Sequence, residues 1–305
     1  MQNIIFSREF RKLRKQRGLS QYELANPHFH ASYISKIENG EFIPSVEKLA
    51  FLSERLGVSL DIFHSFLVTE EEIEFKNNIV KLRNYINGGN RADAEFKLAQ
   101  LKKDEEYEKR LIHKQEIIML EALLFKKAGK PYEYKLTEAI EINIPNFQIE
   151  NIEDYSLTTI DTEIITLMIS AIEEKGRLSY AISLFYKLND CFDTQYTDFK
   201  LIAYMKPFLT TKLVSLLFKN GEYEKVIELS NNAINLEVKN KYIRSTPWLN
   251  YNKANALYEL GHKNAAKETM VEAFYNFKTL KDQTMTERIK KELLEKHNIN
   301  IENFY

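Results

Sequence analysis

The stretch GLSQYELANPHFHASYISKIENGEFIPSVEKL, Gly18 to Leu49, decides how the N-terminal end of the chain folds. Ser20 and Glu23 stand at capping-box spacing: the hydroxyl accepts a first-turn N–H and the carboxylate reaches back to the cap's own N–H. A short helix therefore starts at Ser20 and ends before Asn26-Pro27, since a residue preceding proline is pushed out of the helical region. Ala31 to Glu38 places Ile34 and Ile37 on one face and stops at Asn39-Gly40, a helix-ending pair. Pro44-Ser45 opens another helix with Val46, Leu49, Leu52 and Leu56 inward, and Leu60, Ile62, Phe63 and Phe66 suggest one more. Upstream, Phe6, Phe10 and Leu13 form one stripe of an amphipathic helix that ends near Gly18. Five short helices are expected within residues 1–66.

Charge divides the chain in the same place. Residues 1–66 carry nine Lys and Arg against seven Asp and Glu, a balance of +2, which leaves −3 for the remainder. Arg8, Arg11, Lys12, Arg14, Lys15 and Arg17 face only Glu9 within the first seventeen residues, so one end is suited to a polyanion and the bulk is not.

The whole chain, 305 residues, has length for about two domains. Nine glycines and six prolines are few, about 5% against a usual share of roughly 12%, which favours helices over a many-stranded barrel or sandwich. The single cysteine, Cys191, excludes an internal disulfide and a cysteine-rich metal site, and no apolar run approaches the roughly 20 residues needed to span a bilayer. A soluble cytoplasmic protein is expected. His28 and His30 lack a third ligand nearby and read as surface or phosphate-facing residues, so no metal and no cofactor are expected. The sequence contains no glycine-rich phosphate loop, no HExxH and no Gly-x-Ser-x-Gly, and Cys191 has no neighbouring histidine, so an enzyme is not expected.

Arg14, Gly18-Leu19-Ser20-Gln21, Glu23-Leu24-Ala25, Tyr33 through Gly40 and Pro44-Ser45 followed by Leu49 resemble the helix-turn-helix of the Cro/C1 repressor (XRE) family, with its lambda-repressor-like five-helix domain. In that family the third helix lies in the major groove and the second crosses the DNA backbone. The resemblance implies that Gln21 contacts a phosphate or base, that Ala31, Ser32, Tyr33 and Lys36 face the groove, and that Asn39 approaches a phosphate. Arg14 and Glu38 occupy positions that pair as an internal ion pair in family members. The turn Asn26-Pro27-His28-Phe29-His30 departs from the family by lacking glycine and being one residue short.

From residue 70 the chain repeats loosely. Gly89, Gly129, Gly176, Gly221 and Gly261 each end one helical pattern and open another, at intervals of 40, 47, 45 and 40 residues. Tyr251, Ala254, Leu257 and Tyr258 precede Gly261, with Ala266 and Ala273 after it, and small residues at these positions let the two helices of a hairpin approach closely. The last unit resembles a tetratricopeptide repeat over its whole length. The expected fold is all-α: the N-terminal domain over 1–66, a linker at 67–75, and over 76–305 a right-handed superhelix of about five degenerate helix pairs.

Stacked pairs present a concave face lined by the first helix of each pair. Helix periodicity places Trp248, Tyr251, Asn252, Asn255 and Tyr258 there, and the same offsets from Gly221 give Phe208, Thr211, Lys212 and Ser215. From Gly176 they give Glu163, Thr166, Leu167, Ser170 and Glu173. Asparagine carboxamides can pair with the backbone of an extended peptide, aromatic neighbours can pocket its side chains, and Lys212 can take a terminal carboxylate. The bland reading is that Asn252 and Asn255 only bond to their own helix and that Trp248 after Pro247 only staples a helix start.

In domain order and size the chain is similar to the peptide-pheromone receptors of Gram-positive bacteria, the PlcR, Rgg and PrgX class. That resemblance implies a homodimeric transcription regulator for quorum sensing, binding double-stranded DNA at a palindromic operator and a short signalling peptide in the superhelix, with no membrane partner. The alternative is a prophage or antitoxin-type repressor whose helical half only dimerises or binds a protein.

Overall fold

The computed structural model of the chain describes residues 2–195, 199–241, 243–297 and 299. It divides into two compact units, Met1–Arg110 and Leu111–Tyr305, and the described residues of both are helical, with no strand among them.

The first unit opens with α1 (Gln2–Gln16), α2 (Gln21–Ala25), α3 (Ala31–Glu38), α4 (Val46–Leu56) and α5 (Asp61–Ser65). These are the five helices that the caps and stops anticipate. Ser20 accepts the Glu23 N–H at 3.1 Å and Glu23 accepts the Ser20 N–H at 2.7 Å, closing the capping box at the start of α2. Phe6 and Phe10 of α1 bury completely and meet Phe63 of α5 and Ile34 and Ile37 of α3 in one core, which Leu24, Leu49, Leu52 and Leu56 complete. One expectation fails: Val46 is 69% exposed. As the first residue of α4 it projects past the packed face, and the inward stripe begins at Leu49.

The same unit continues with α6 (Glu70–Asn87), α7 (Arg91–Leu101) and α8 (Glu105–Lys109). Residues 67–75 thus hold the N-cap Thr69, whose hydroxyl accepts the Glu72 N–H at 3.2 Å, and the first turns of α6. Phe75, Ile79, Leu82 and Ile86 line the inward face of α6, and Ala94, Leu98 and Leu101 that of α7.

The second unit contains α9 (Leu111–Lys127), α10 (Glu133–Glu141), a 3-10 segment (Ile149–Asp154), α11 (Thr159–Glu174), α12 (Leu178–Gln195), α13 (Phe199–Lys219), α14 (Tyr223–Lys239), α15 (Thr246–Glu259), α16 (Lys263–Thr279) and α17 (Gln283–His297). Each helix packs on the next, so four hairpins stack in chain order and α17 closes the row. The five expected pair-dividing glycines sit between α6 and α7, α9 and α10, α11 and α12, α13 and α14, and α15 and α16, all with φ between 66° (Gly129) and 82° (Gly261). A β-carbon disfavours that left-handed conformation, which is why glycine recurs where a helix must stop and reverse. Ala254, Ala266 and Ala273 are wholly buried where α15 and α16 pack, and Met270, Phe274, Phe277, Ile289 and Leu293 extend this core to α17.

Two buried carboxylates organise helix starts. Asp161 closes a capping box with Thr158 and accepts amide N–H groups from Gln115 at 2.6 Å and Asn143 at 2.7 Å. Glu237, near the end of α14, accepts the backbone N–H groups of Ser245 at 2.7 Å and Thr246 at 2.8 Å and the Thr246 hydroxyl at 2.7 Å, which fixes where α15 begins.

Candidate functional site

In the first unit Glu38 ends α3 inside the head. Arg14 donates to it from Nε and, at 3.1 Å, from Nη2, while its Nη1 donates to the Leu19 carbonyl. Gln21 Nε2 donates to Glu38 Oε2 at 2.9 Å. Burial resists charging Glu38, but the bonds from Arg14 and Gln21 and the charges of Arg14 and Arg11 outweigh it, and its pKa lies below the usual carboxylate value. The expected internal pair is therefore present, and Gln21, expected at DNA, spends one amide donor on it.

The outer side of α3 is narrower than its sequence implies. Ser32, Lys36 and Asn39 are exposed or half-buried, as is Ala31. Tyr33 turns back onto the head, stacked on Phe29 with ring centroids 4.8 Å apart, tilted against Phe42 at 5.1 Å, and covered by Lys48 Nζ at 4.9 Å. The aromatic residues of the short turn explain this, because Phe29 and His28 also pack edge-on against Phe51 and draw the ring inward. Beside Asn39, Arg8, Arg11, Lys12 and Lys15 of α1 wall a basic trough of about 740 Å³.

The second unit holds a cavity of about 800 Å³, within the range of ligand sites. From α13 it takes Phe208, Thr211, Lys212, Ser215, Phe218 and Lys219, whose spacing of three and four follows one helix face. From α15 come Trp248, Tyr251, Asn252, Asn255 and Glu259 on the same rule, and from α17 come Arg288, Glu292 and Lys296. Arg244 and Ser245 close it from the connection between α14 and α15. Eight of the eleven residues expected at a peptide face are thus gathered here: Phe208, Thr211, Lys212, Ser215, Trp248, Tyr251, Asn252 and Asn255. Thr166, Ser170 and Tyr258 do not line it. Thr166 is buried with its hydroxyl donating to the Thr162 carbonyl at 2.8 Å, Ser170 donates to the Thr166 carbonyl at 2.9 Å, and the Tyr258 ring lies under Lys296 Nζ at 5.7 Å.

The asparagines are already engaged. Asn252 Nδ2 donates to the Trp248 carbonyl at 2.8 Å and Asn255 Nδ2 to that of Tyr251 at 3.0 Å, while Lys296 Nζ donates to Asn255 Oδ1 at 2.9 Å. These bonds fix the carboxamides and leave Asn252 Oδ1 as an acceptor for a ligand. Tyr251 donates from its hydroxyl to Glu292 Oε1 at 2.7 Å; burial first, and then this bond and the Glu292 charge, push the phenol up to about 12. Lys212 opens to the solvent of the cavity yet is enclosed by its walls, and burial together with the like charge of Lys126 pulls its pKa down. Sequence reasoning misses Arg244 and the α17 residues. The spacing Arg288, Glu292, Lys296, four apart on one helix, is the available signal.

By sequence, residues 10–63 match the family model described as Helix-turn-helix. The N-terminal head is a helix-turn-helix domain. No curated protein matches the chain by sequence. By structure it is similar to PlcR of Bacillus thuringiensis, solved in complex with the peptide PapR7 and DNA, at 20% identity, with 94% of this chain and 99% of that one covered and a TM-score of 0.70. It is also similar to the SHP pheromone receptor Rgg2(C45S) of Streptococcus dysgalactiae (18% identity, 95% and 98% covered, TM-score 0.66). ComR of S. thermophilus, in complex with DNA and its signalling peptide ComS, matches at 18% identity, 97% and 100% coverage and a TM-score of 0.60. The chain has the fold of PlcR, Rgg2 and ComR. The likeness runs over nearly the full length of each chain. No helix among the described residues is long and apolar enough to cross a membrane.

Proposed function

We propose that the protein is a cytoplasmic, sequence-specific DNA-binding transcription regulator, homodimeric and controlled by a short signalling peptide. On this reading residues 1–66 bind DNA, 67–75 link, and 76–305 bind the peptide and dimerise. The observation that carries it is the second unit's cavity, where α13 and α15 turn four aromatic residues, two asparagines and two lysines toward one space large enough for a peptide segment. The solved PlcR complex holds PapR7 and DNA together and the ComR complex holds ComS and DNA, which supports assigning both ligand classes to this fold.

At the DNA, Ser32 and Lys36 offer hydrogen bonds to base edges, Lys36 best to guanine, and Ala31 offers a methyl to thymine. Asn39 and the trough cations Arg8, Lys12 and Lys15 suit phosphates, which makes affinity strongly salt-dependent. Tyr33 supports α3 from behind. One head buries little DNA, so two heads at half-sites about 34 Å apart gain the affinity that one lacks. The peptide acts through its differential affinity for two states of the dimer, with couplings of about 1 to 3 kcal/mol.

The test is fluorescence-anisotropy titration of duplex DNA over a range of salt, with and without synthetic peptides encoded by neighbouring small open reading frames. The reading expects a steep salt slope and a peptide-dependent change in affinity or site spacing. Asn252→Ala should weaken the peptide response and leave unliganded DNA binding intact. Equal loss of both would point to misfolding, and DNA binding indifferent to every peptide would favour a repressor whose helical half serves only assembly.

A further inference from the structure

Seven charged side chains line the cavity of the second unit, five cations and two carboxylates. Three of the cations have partners: Lys219 pairs with Glu173 at 2.8 Å, and Arg288 and Lys296 share Glu292 at 3.0 and 3.4 Å. Lys212 and Arg244 remain, and among the described residues no carboxylate pairs with either. Glu259, the other carboxylate of the lining, is eleven residues along α15 from Trp248, about 16 Å by helix rise, and pairs with neither.

The two cations converge on one ring. Lys212 Nζ lies 5.9 Å and Arg244 Cζ 5.2 Å from the centroid of Phe208, and the Arg244 guanidinium also covers Tyr204 at 4.2 Å. Aromatic faces attract cations but supply no counter-charge. Two cations that contact one ring and have no carboxylate paired with them favour an anion that enters beside them. Arg244 is also well anchored, because the next two residues are tied by their backbone N–H groups to the buried Glu237, so the clamp is assembled before a ligand arrives.

We propose that Lys212 and Arg244, seated on Phe208, form a carboxylate clamp, so that the cavity selects peptides that present an acidic side chain or a free C-terminus at that point. This rests on the peptide-binding reading and adds the chemical class that the site takes. Lys212 supplies a point charge and Arg244 a planar fork able to hold both carboxylate oxygens.

The test uses the full-length protein and a randomised heptapeptide library prepared twice, with free and with amidated C-termini. Retained peptides are sequenced by mass spectrometry, and their affinities are measured by anisotropy. The clamp predicts enrichment of Asp or Glu in the amidated library, or of any sequence only in the free-acid library, which tells the two carboxylate sources apart. Replacing the responsible Asp or Glu by its amide, or amidating the terminus, should weaken binding about tenfold or more. The variant Lys212→Met with Arg244→Met should lose that discrimination while keeping its thermal melt by circular dichroism, and Arg244→Lys should recover part of it. Retained peptides whose affinity survives neutralisation of every carboxylate would overturn the clamp and leave peptide binding standing. Retention of no peptide from either library would remove the peptide-binding reading, and the clamp with it.

Discussion

Replacing Glu38 by alanine should open the head while sparing the rest of the chain. The carboxylate is buried and receives two bonds from Arg14 and one from Gln21, and the Arg14 side chain is itself only 9% exposed. Removing one member of a buried ion pair strands the other charge, at a cost of about 3–5 kcal/mol. Because 1.4 kcal/mol is a factor of ten, protected amides of α1 to α5 should exchange about a hundredfold to a few thousandfold faster. Hydrogen exchange read by mass spectrometry on peptides from residues 2–66 is the right assay, since the sole tryptophan, Trp248, lies in the other unit and would not report the change. The pair carries a pH signature as well. Glu38 has a folded pKa below its reference value of 4.5, so its contribution is present above about pH 4.5 and is lost as pH falls through the lowered folded value. The double variant Arg14→Met with Glu38→Leu should recover most of the protection, as apolar replacement of a whole buried pair often does. An exchange change under about tenfold in Glu38→Ala would refute the claim that this pair braces the head.

Gly221→Ala should lower stability by about 1–2 kcal/mol, because φ is +78° there while nothing lies within 4 Å of an added β-carbon, so backbone strain is the whole cost; a urea midpoint followed by Trp248 fluorescence measures it, and Gly221→Asn should lose less. Glu237→Ala strands the N–H groups of Ser245 and Thr246, at about 1–3 kcal/mol for each buried donor, and should change Trp248 emission in the native state by loosening the start of α15. Cys191 is buried, and that burial together with the charges of Glu153 and Asp190 pushes its thiol pKa up, so a disulfide reagent should react slowly with the native protein and fast in urea.

The parts legible in the sequence are those whose cause is local. The capping box at Ser20, the Asn39-Gly40 stop and the five dividing glycines are each set by a few neighbouring dihedrals and hydrogen bonds, so the helices of the head and the hairpin rhythm of residues 76–279 follow from the residues alone. Helix periodicity likewise places Phe208, Lys212, Trp248 and Asn252 on faces that meet. The transfer of the same offsets to α11 does not reach the cavity, since offsets from a glycine do not say which hairpins bound a given space, and Thr166 is spent inside its own helix. Tyr33 has the expected position in α3, but its ring contacts are not legible in the sequence, because Phe29, Phe42 and Lys48 approach it from other segments.

By itself, then, the order of residues determined an all-helical fold, a five-helix head and hairpins reversed at glycine, since helix ends are decided within a turn or two of backbone. Only the tertiary structure decided that α17 completes the cavity, that Lys296 holds Asn255, and that Arg244, from an irregular connection, joins Lys212 over Phe208. Asn255 and Lys296 stand 41 positions apart, and at such separations packing rather than local propensity determines which surfaces come together.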